Sequence, residues 1–349
     1  MEAYPEIDAL HQEHGARLIE VGSMLLPLQY ADSPDLEIRR ILEKSALIDL
    51  RAFELIRVQG PDAMTFLQGM VTNDLKQLSP GGLQHQLLCN NKGKILYHLD
   101  VLQMAQEDYI LVCDPEEAKL VGNHLYHFLI REDLEMSLMT PHWLRCDLIG
   151  PLVFQWLSTQ DYHDDHGIWE FQGIQVLTGH EQWGTLPRLV CLVPAEDYVR
   201  FLKTVLAAHH DIGLAGLEAL EQIRIYQGIP RAGVDYNQEH FPQEAGLADH
   251  VSYNKGCYLG QEPHARMHYR GHPNRLLVPI SWDGTMSLQA GHVLYAGNEE
   301  AGLVTSVSQI RNEAGTMRGL AMIRQTLVKE QRPLALIPDG ASVICIVAG

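Results

Sequence analysis

A chain of 349 residues has room for two or three domains at roughly 150 residues each, and 46% hydrophobic against 20% charged residues is the balance of a globular protein rather than of a disordered one. A formal net charge of -18 repels nucleic-acid phosphates and anionic membranes, which argues against DNA or a membrane as a partner unless a local basic patch offsets it. Six scattered cysteines (Cys89, Cys113, Cys146, Cys191, Cys257 and Cys345) form no C-x-x-C pair, which speaks against a disulfide framework or a self-contained zinc or iron–sulfur site and for a reducing, cytoplasmic compartment.

The acidic opening MEAYPEIDALHQEHG lacks the apolar stretch of a secretory signal, and no apolar run approaches the ~20 residues of a membrane span. Residues 53–140 read as one unit. Glu54–Gln59 is a predicted strand, and Gly60-Pro61-Asp62 opens a helix whose Ala63, Phe66, Leu67 and Met70 share one face. After the break at Ser79-Pro80-Gly81-Gly82 come strands at 85–89 and 95–102, joined by an Asn/Gly-rich turn that predicts a hairpin. Asp108–Cys113 is a further strand, Pro115 opens a helix carrying Val121 and Leu125, and 134–139 closes the unit. The order β-α-β-β(-β)-α-β is a ferredoxin-like pattern.

A related unit follows. Strands are predicted at 144–150, 173–179 and 188–193, with an apolar stretch from Pro151 to Leu157 and a helix from Pro194 through Leu206. A helix at 214–227 ends at Gly228 and Pro230. Residues 231–254 are loop-like. Beyond His272 six short strands, at Arg275–Trp282, 292–297, 302–310, 319–324, 334–337 and 342–347, suggest a small barrel or roll.

The densest chemistry lies in NKGCYLGQEPHARMHYRGHPNR, residues 254–275. Gly256 and Gly260 bracket Cys257 and let a ligand approach the backbone. Lys255 is a cation close in sequence to the thiol, a placement that favours thiolate. Gln261 and Glu262 offer an amide and a carboxylate to a polar heterocycle, and Arg266, Arg270 and Arg275 suit carboxylates. Residues 251–278 hold four basic residues against one acidic, a positive zone suited to a small anionic ligand. The same features also describe a buried small cysteine, a glycine turn and a solvated basic face. His264, His268 and His272 fall at i, i+4 and i+8, but Pro263, Gly271 and Pro273 argue against one continuous helix, and His163 and His166 flank Asp164-Asp165. With 18 histidines such spacings arise by chance, and no metal site is expected.

The run KGCYLGQE, followed by Ala265-Arg266 and Arg270-Gly271, closely resembles the signature of YgfZ-type folate-binding proteins. RIYQGIPRAGVD (224–235), PQEAGL (242–247), RVQGPDAMTFLQGMVTNDL with its Thr72-Asn73-Asp74 turn, LLCNNKGKIL and AGLVTS (301–306) extend the likeness over most of the chain. HGARLIEV, LPLQY and EIRRILEKSALIDL resemble the opening of the glycine-cleavage T-protein, an aminomethyltransferase of the same superfamily. The resemblance implies an α+β fold: two ferredoxin-like domains and a C-terminal β-barrel in a cloverleaf around tetrahydrofolate or a derivative. On that pattern residues 1–52 with 141–271 form the first domain, 53–140 the second and 272–349 the barrel. It implies Cys257 as the key thiol with Lys255 as its electrostatic partner, and Gln261, Glu262, Arg266, Arg224, Asn73 and Asp74 as folate-binding residues. It further implies a role in iron–sulfur cluster assembly or repair, with assembly proteins or client enzymes as partners, and in tRNA modifications that depend on such enzymes.

The chain departs from the T-protein at its chemistry. The Asp-Asp pair used there in folate-dependent transfer is replaced by Tyr97-His98, with Asp100 and Asp74 as the nearest substitutes. TGHEQWG (178–184) stands near the place of the T-protein Gly-Glu-Asp-Gly-x-Glu stretch without reproducing it. Aminomethyl transfer is therefore disfavoured, and a folate-dependent aminomethyl- or methyltransferase (demethylase) activity is the alternative reading.

Overall fold

The structure is a computed structural model that describes residues 4–30, 33–162, 167–312, 314–341 and 343–347. Two compact units emerge, one of residues 1–88 and 97–220, the other of 89–96 and 221–349.

The first unit opens with helix α1 (Pro5–Glu13), hairpin β1 (Arg17–Val21) and β2 (Met24–Gln29), helix α2 (Pro34–Glu43) and strand β3 (Ser45–Asp49). Glu37, on the buried face of α2, accepts the backbone N–H of Tyr30 and of Gly216, which ties the opening segment to the rest of the unit. Then follow β4 (Glu54–Gln59), α3 (Ala63–Met70), β5 (Leu83–Cys89), β6 (Ile95–Ala105), β7 (Asp108–Cys113), α4 (Ala118–Phe128) and β8 (Glu135–Leu138). The second set is β9 (Trp143–Ile149), α5 (Val153–Leu157), β10 (Ile168–Phe171), β11 (Ile174–Trp183), β12 (Leu186–Pro194), α6 (Tyr198–Ala208) and β13 (Ile212–Leu214).

The two sets share one plan. The first sheet runs β5-β6-β7-β4-β8 and the second β10-β11-β12-β9-β3-β13. The second order is the first with β3 inserted before the closing strand, and β13 pairs parallel to β3. This is the topology expected of two related α+β halves. Leu55, Ile110 and Val112 of one sheet and Val190 and Leu192 of the other form a common core. Gly179 of β11 permits that approach, since a Cβ there would stand 3.0 Å from the Leu102 side chain.

Helix α4 begins at Ala118 rather than at Pro115. Glu116 adopts a left-handed φ of 67°, which ends any helix before it forms, and Glu54 on β4 accepts the N–H of Ala118. Glu117 beside this start is pushed up to about 7, first by burial and then by Asp114 and Glu54. A carboxyl raised in the folded state favours folding only while it stays protonated. Stability is thus expected to fall as pH rises from about 4.5 to about 7. Glu117→Gln should flatten that slope and gain about 1 kcal/mol above pH 7, read from urea midpoints across the window.

Helix α7 (Leu217–Tyr226) crosses the boundary at residue 220, and the second unit continues with a stretch of turns, α8 (Gln261–Arg270), β14 (Arg275–Trp282), β15 (Val293–Ala296), β16 (Glu299–Arg311), β17 (Met317–Arg324), α9 (Gln325–Lys329) and β18 (Cys345–Ile346). Its antiparallel sheet, ordered β15-β16-β17-β14-β18, is a half-barrel around Ile280, Trp282, Leu294, Val304, Ile323 and Ile344. The strand expected at 334–337 is not regular: Leu334 and Ala335 make only isolated bridges, to Ile344 and Tyr295. Pro263 sits in the first turn of α8, where a missing N–H has no intrahelical partner, and the helix ends at Arg270 before Gly271, so the continuous helix doubted through His272 does not form. Among the described residues no helix is long and apolar enough to cross a membrane.

Candidate functional site

In the second unit the signature segment folds onto the tip of the β5–β6 hairpin, residues 89–96. Gly256 and Gly260 adopt φ of 102° and 87°, a region that L side chains avoid. At Gly260 the reason is also contact: a Cβ would lie 2.7 Å from the Asn90 carbonyl oxygen. His264, fully buried, donates from Nε2 to the Gly93 carbonyl oxygen at 2.7 Å and pairs through Nδ1 with the Tyr258 hydroxyl at 3.1 Å. Burial lowers its pKa, against the opposing pull of the Gly93 carbonyl, so His264 is a neutral core residue. His268 stacks on Tyr253 at 3.8 Å, and His272 lies beyond the helix end. The three histidines thus do not converge. His163 and His166 fall outside the described residues.

Cys257 is exposed on the irregular run before α8, whereas Cys89, Cys113, Cys146 and Cys191 are buried. Burial pushes the Cys89 thiol up to about 12, so it is a packing residue. The Lys255 ammonium packs over the Tyr258 ring, 5.2 Å from its centroid. Gln261 starts α8. Glu262 and Arg266, one turn apart, line an open cavity of about 420 Å³ with Phe241, Pro263, Met267 and His272. Arg266 makes no ion pair among the described residues.

The remaining expected residues make contacts within the protein. Arg224, 5% exposed, reaches Glu221 at 2.7 and 2.5 Å, Asp235 at 2.7 Å and the Ser306 hydroxyl at 3.2 Å. Asp235 in turn accepts from Thr305 and Ser306 at 2.6 Å each, so this network joins α7 to β16. In the first unit Asp74 accepts from Gln68 at 2.7 Å and from the Lys76 N–H at 3.2 Å, while Asn73 accepts the Asp74 N–H. Both shape the turn between α3 and β5.

Sequence reasoning passed over a half-open ionic cluster in the first unit. His85 Nδ1 lies 2.8 Å from Asp100 Oδ1 and Nε2 lies 2.7 Å from Glu181 Oε2. Arg188 pairs with Glu181 and lies 3.4 Å from Asp100. Arg145 grips Asp147 through two 2.8 Å bonds and stands 3.4 Å from Asp100. Burial opposes a charge on His85, but Asp100 and Glu181 outweigh it and raise its pKa to about 9. His98 beside it goes the other way, to about 4, first through burial and then through repulsion by His85. Burial would raise Asp100, yet His85, Arg188 and Arg145 hold it well below the usual carboxylate range. Asp100 is thus committed to three cations. The legible hint was His98-x-Asp100, two residues apart on a strand and so on one face.

Residues 7–177 match the family described as the GCVT N-terminal domain. An aminomethyltransferase from Anoxybacillus flavithermus is 28% identical over 313 residues, covering 86% of this chain and 85% of that protein. One from Geobacillus sp. is 26% identical over 330 residues, covering 90% and 89%. The glycine cleavage system aminomethyltransferase T from Bartonella henselae shares the fold, with a TM-score of 0.85 at 19% identity over 98% of this chain and 96% of that one. The domain match, the relatives along most of the chain and the shared fold all make this chain similar to T-proteins.

Proposed function

We propose that this chain is a YgfZ-type protein that binds tetrahydrofolate or a derivative and uses the Cys257 thiol to support iron–sulfur cluster assembly or repair. The observation that carries the reading is the exposed Cys257 in a loop fixed by two left-handed glycines. One thiol cannot fill a four-ligand cluster site, so a partner protein supplies the other ligands to the cluster it receives. The cavity beside α8 fits part of a folate: its volume lies in the range of ligand pockets, Arg266 suits a glutamyl carboxylate and Glu262 suits the N–H edge of a pterin. When bound, a reduced folate supplies a nucleophilic ring amine for one-carbon units.

Anaerobic calorimetry with tetrahydrofolate should show saturable binding, weakened about tenfold in Arg266→Ala, the loss of one charge-assisted contact. Absence of heat at millimolar ligand would remove the folate reading. In a strain lacking this chain, Cys257→Ser should leave iron–sulfur enzyme activity depressed, and full restoration by that variant would sink the thiol role.

A second reading is folate-dependent one-carbon transfer, supported by relatives named aminomethyltransferase along most of the chain. Against it stand Tyr97 and His98, where the resemblance places carboxylates, and the engagement of Asp100 by His85, Arg145 and Arg188. Turnover of tetrahydrofolate with simple methyl or aminomethyl donors separates the two.

A further inference from the structure

Three side chains of the first unit converge as a metal-binding set would. His98 and Asp100 stand two residues apart on β6, and His85 comes from the neighbouring strand β5. One ligating atom from each lies within 4.8 Å of the other two. With metal–ligand bonds of about 2.1 Å, ligands on adjacent octahedral corners are about 3 Å apart. His85 Nδ1 and Asp100 Oδ1 are 2.8 Å apart.

The surroundings supply the supporting shell. His85 directs its other nitrogen at Glu181, 2.7 Å away, the carboxylate contact that fixes a ligating imidazole in tautomer and orientation. Asp100 turns Oδ2 toward Arg145 and Arg188, which leaves Oδ1 facing His85. The His85 and Asp100 side chains are 25% and 13% exposed, so solvent reaches the set. An ion entering between them replaces the proton they share, and Asp100, Asp147 and Glu181 against Arg145 and Arg188 leave one negative charge to receive it.

We propose that His85, His98 and Asp100 bind one divalent first-row transition-metal ion. Two histidines and one carboxylate with open corners suit iron(II), and cobalt(II) is a spectroscopic stand-in. The site is independent of the folate and thiol readings. The competing cluster among the described residues, His209, His210 and Asp211, lies at the surface, where Lys44 already pairs with Asp211 at 2.6 Å.

Metal-stripped full-length chain is titrated with cobalt(II) without oxygen, followed by absorbance and calorimetry. One equivalent should bind, with the weak visible bands of a five- or six-coordinate ion. His98→Gln should weaken binding at least about 100-fold and Glu181→Gln about 10- to 100-fold, while the His209→Ala, His210→Ala double variant leaves it unchanged. Melting curves check that the variants fold. Should His98→Gln fail to fold, the parent spectrum and Glu181→Gln still decide. No saturable uptake, loss confined to the His209/His210 variant, or intense thiolate-type bands would each overturn the assignment.

Discussion

Asp49→Ala is expected to lower the unfolding free energy by about 3–5 kcal/mol, the cost of leaving a buried charge without its partner. Asp49 ends β3 and is fully buried, and Arg51, the other half of the pair, has a side chain only 1% exposed. The carboxylate accepts from Arg51 at 2.8 Å, from the Tyr198 hydroxyl at 2.7 Å and from the Arg51 N–H at 3.0 Å, and His11 Nε2 lies 2.8 Å away. His11 continues to the Tyr30 hydroxyl at 2.8 Å, so one side chain links α1, β3, α6 and the end of the first hairpin. Removing it strands Arg51 with Asp8 and the Leu25 carbonyl oxygen alone. Burial would raise the Asp49 pKa, yet Arg51, His11 and Tyr198 hold it below the usual carboxylate value. The stability it contributes is therefore present above that value and lost as pH falls below it. Chemical unfolding at pH 7 checks the magnitude. Asp49→Asn, whose single amide oxygen keeps the contacts of only one carboxylate oxygen, should fall between parent and alanine. A loss under about 1 kcal/mol in Asp49→Ala would show that the network contributes little.

Gly260→Ala is expected to cost about 1–3 kcal/mol and to release the signature loop from the hairpin tip. The added methyl meets a backbone oxygen, the Asn90 carbonyl at 2.7 Å, in a conformation with φ of 87°. Neither the hairpin turn nor the first turn of α8 yields cheaply, because Asn90 N–H and C=O are both used within the turn and His264 anchors the helix to Gly93. Gly256→Ala is the internal control. It has a φ of 102° but no atom within 4 Å, so it carries the conformational cost alone, about 1 kcal/mol. Thermal melts should rank Gly260→Ala below Gly256→Ala. Thiol labelling should show Cys257 reacting faster in Gly260→Ala once the loop loses its support. Equal melting points for the two variants would mean that the Asn90 contact does not hold the loop.

The signature was legible because it is local. Eight consecutive residues carry it, and the glycines that fix its backbone lie within it. The strands Glu54–Gln59, Asp108–Cys113 and Arg275–Trp282 were equally plain, since β-branched and large apolar residues concentrate there between turn residues. The start of α4 was not, because the side chain that caps it comes from Glu54, sixty-four residues earlier. The start of α8 was not legible either: Gly260 sets it, and Pro263 falls in the first turn, where it is tolerated.

The amino-acid sequence by itself determined the α+β order, the doubled plan and the glycine-flanked run around Cys257, because each is written in short stretches whose physics is complete within them. Tertiary structure alone decided which charges meet. His85, Asp100, Arg145, Asp147, Glu181 and Arg188 come from five strands of two sheets, and no spacing along the chain encodes such a meeting. It follows from strand pairing and from the packing of one sheet on the other, which set distance, burial and hence the opposite shifts of His85 and His98.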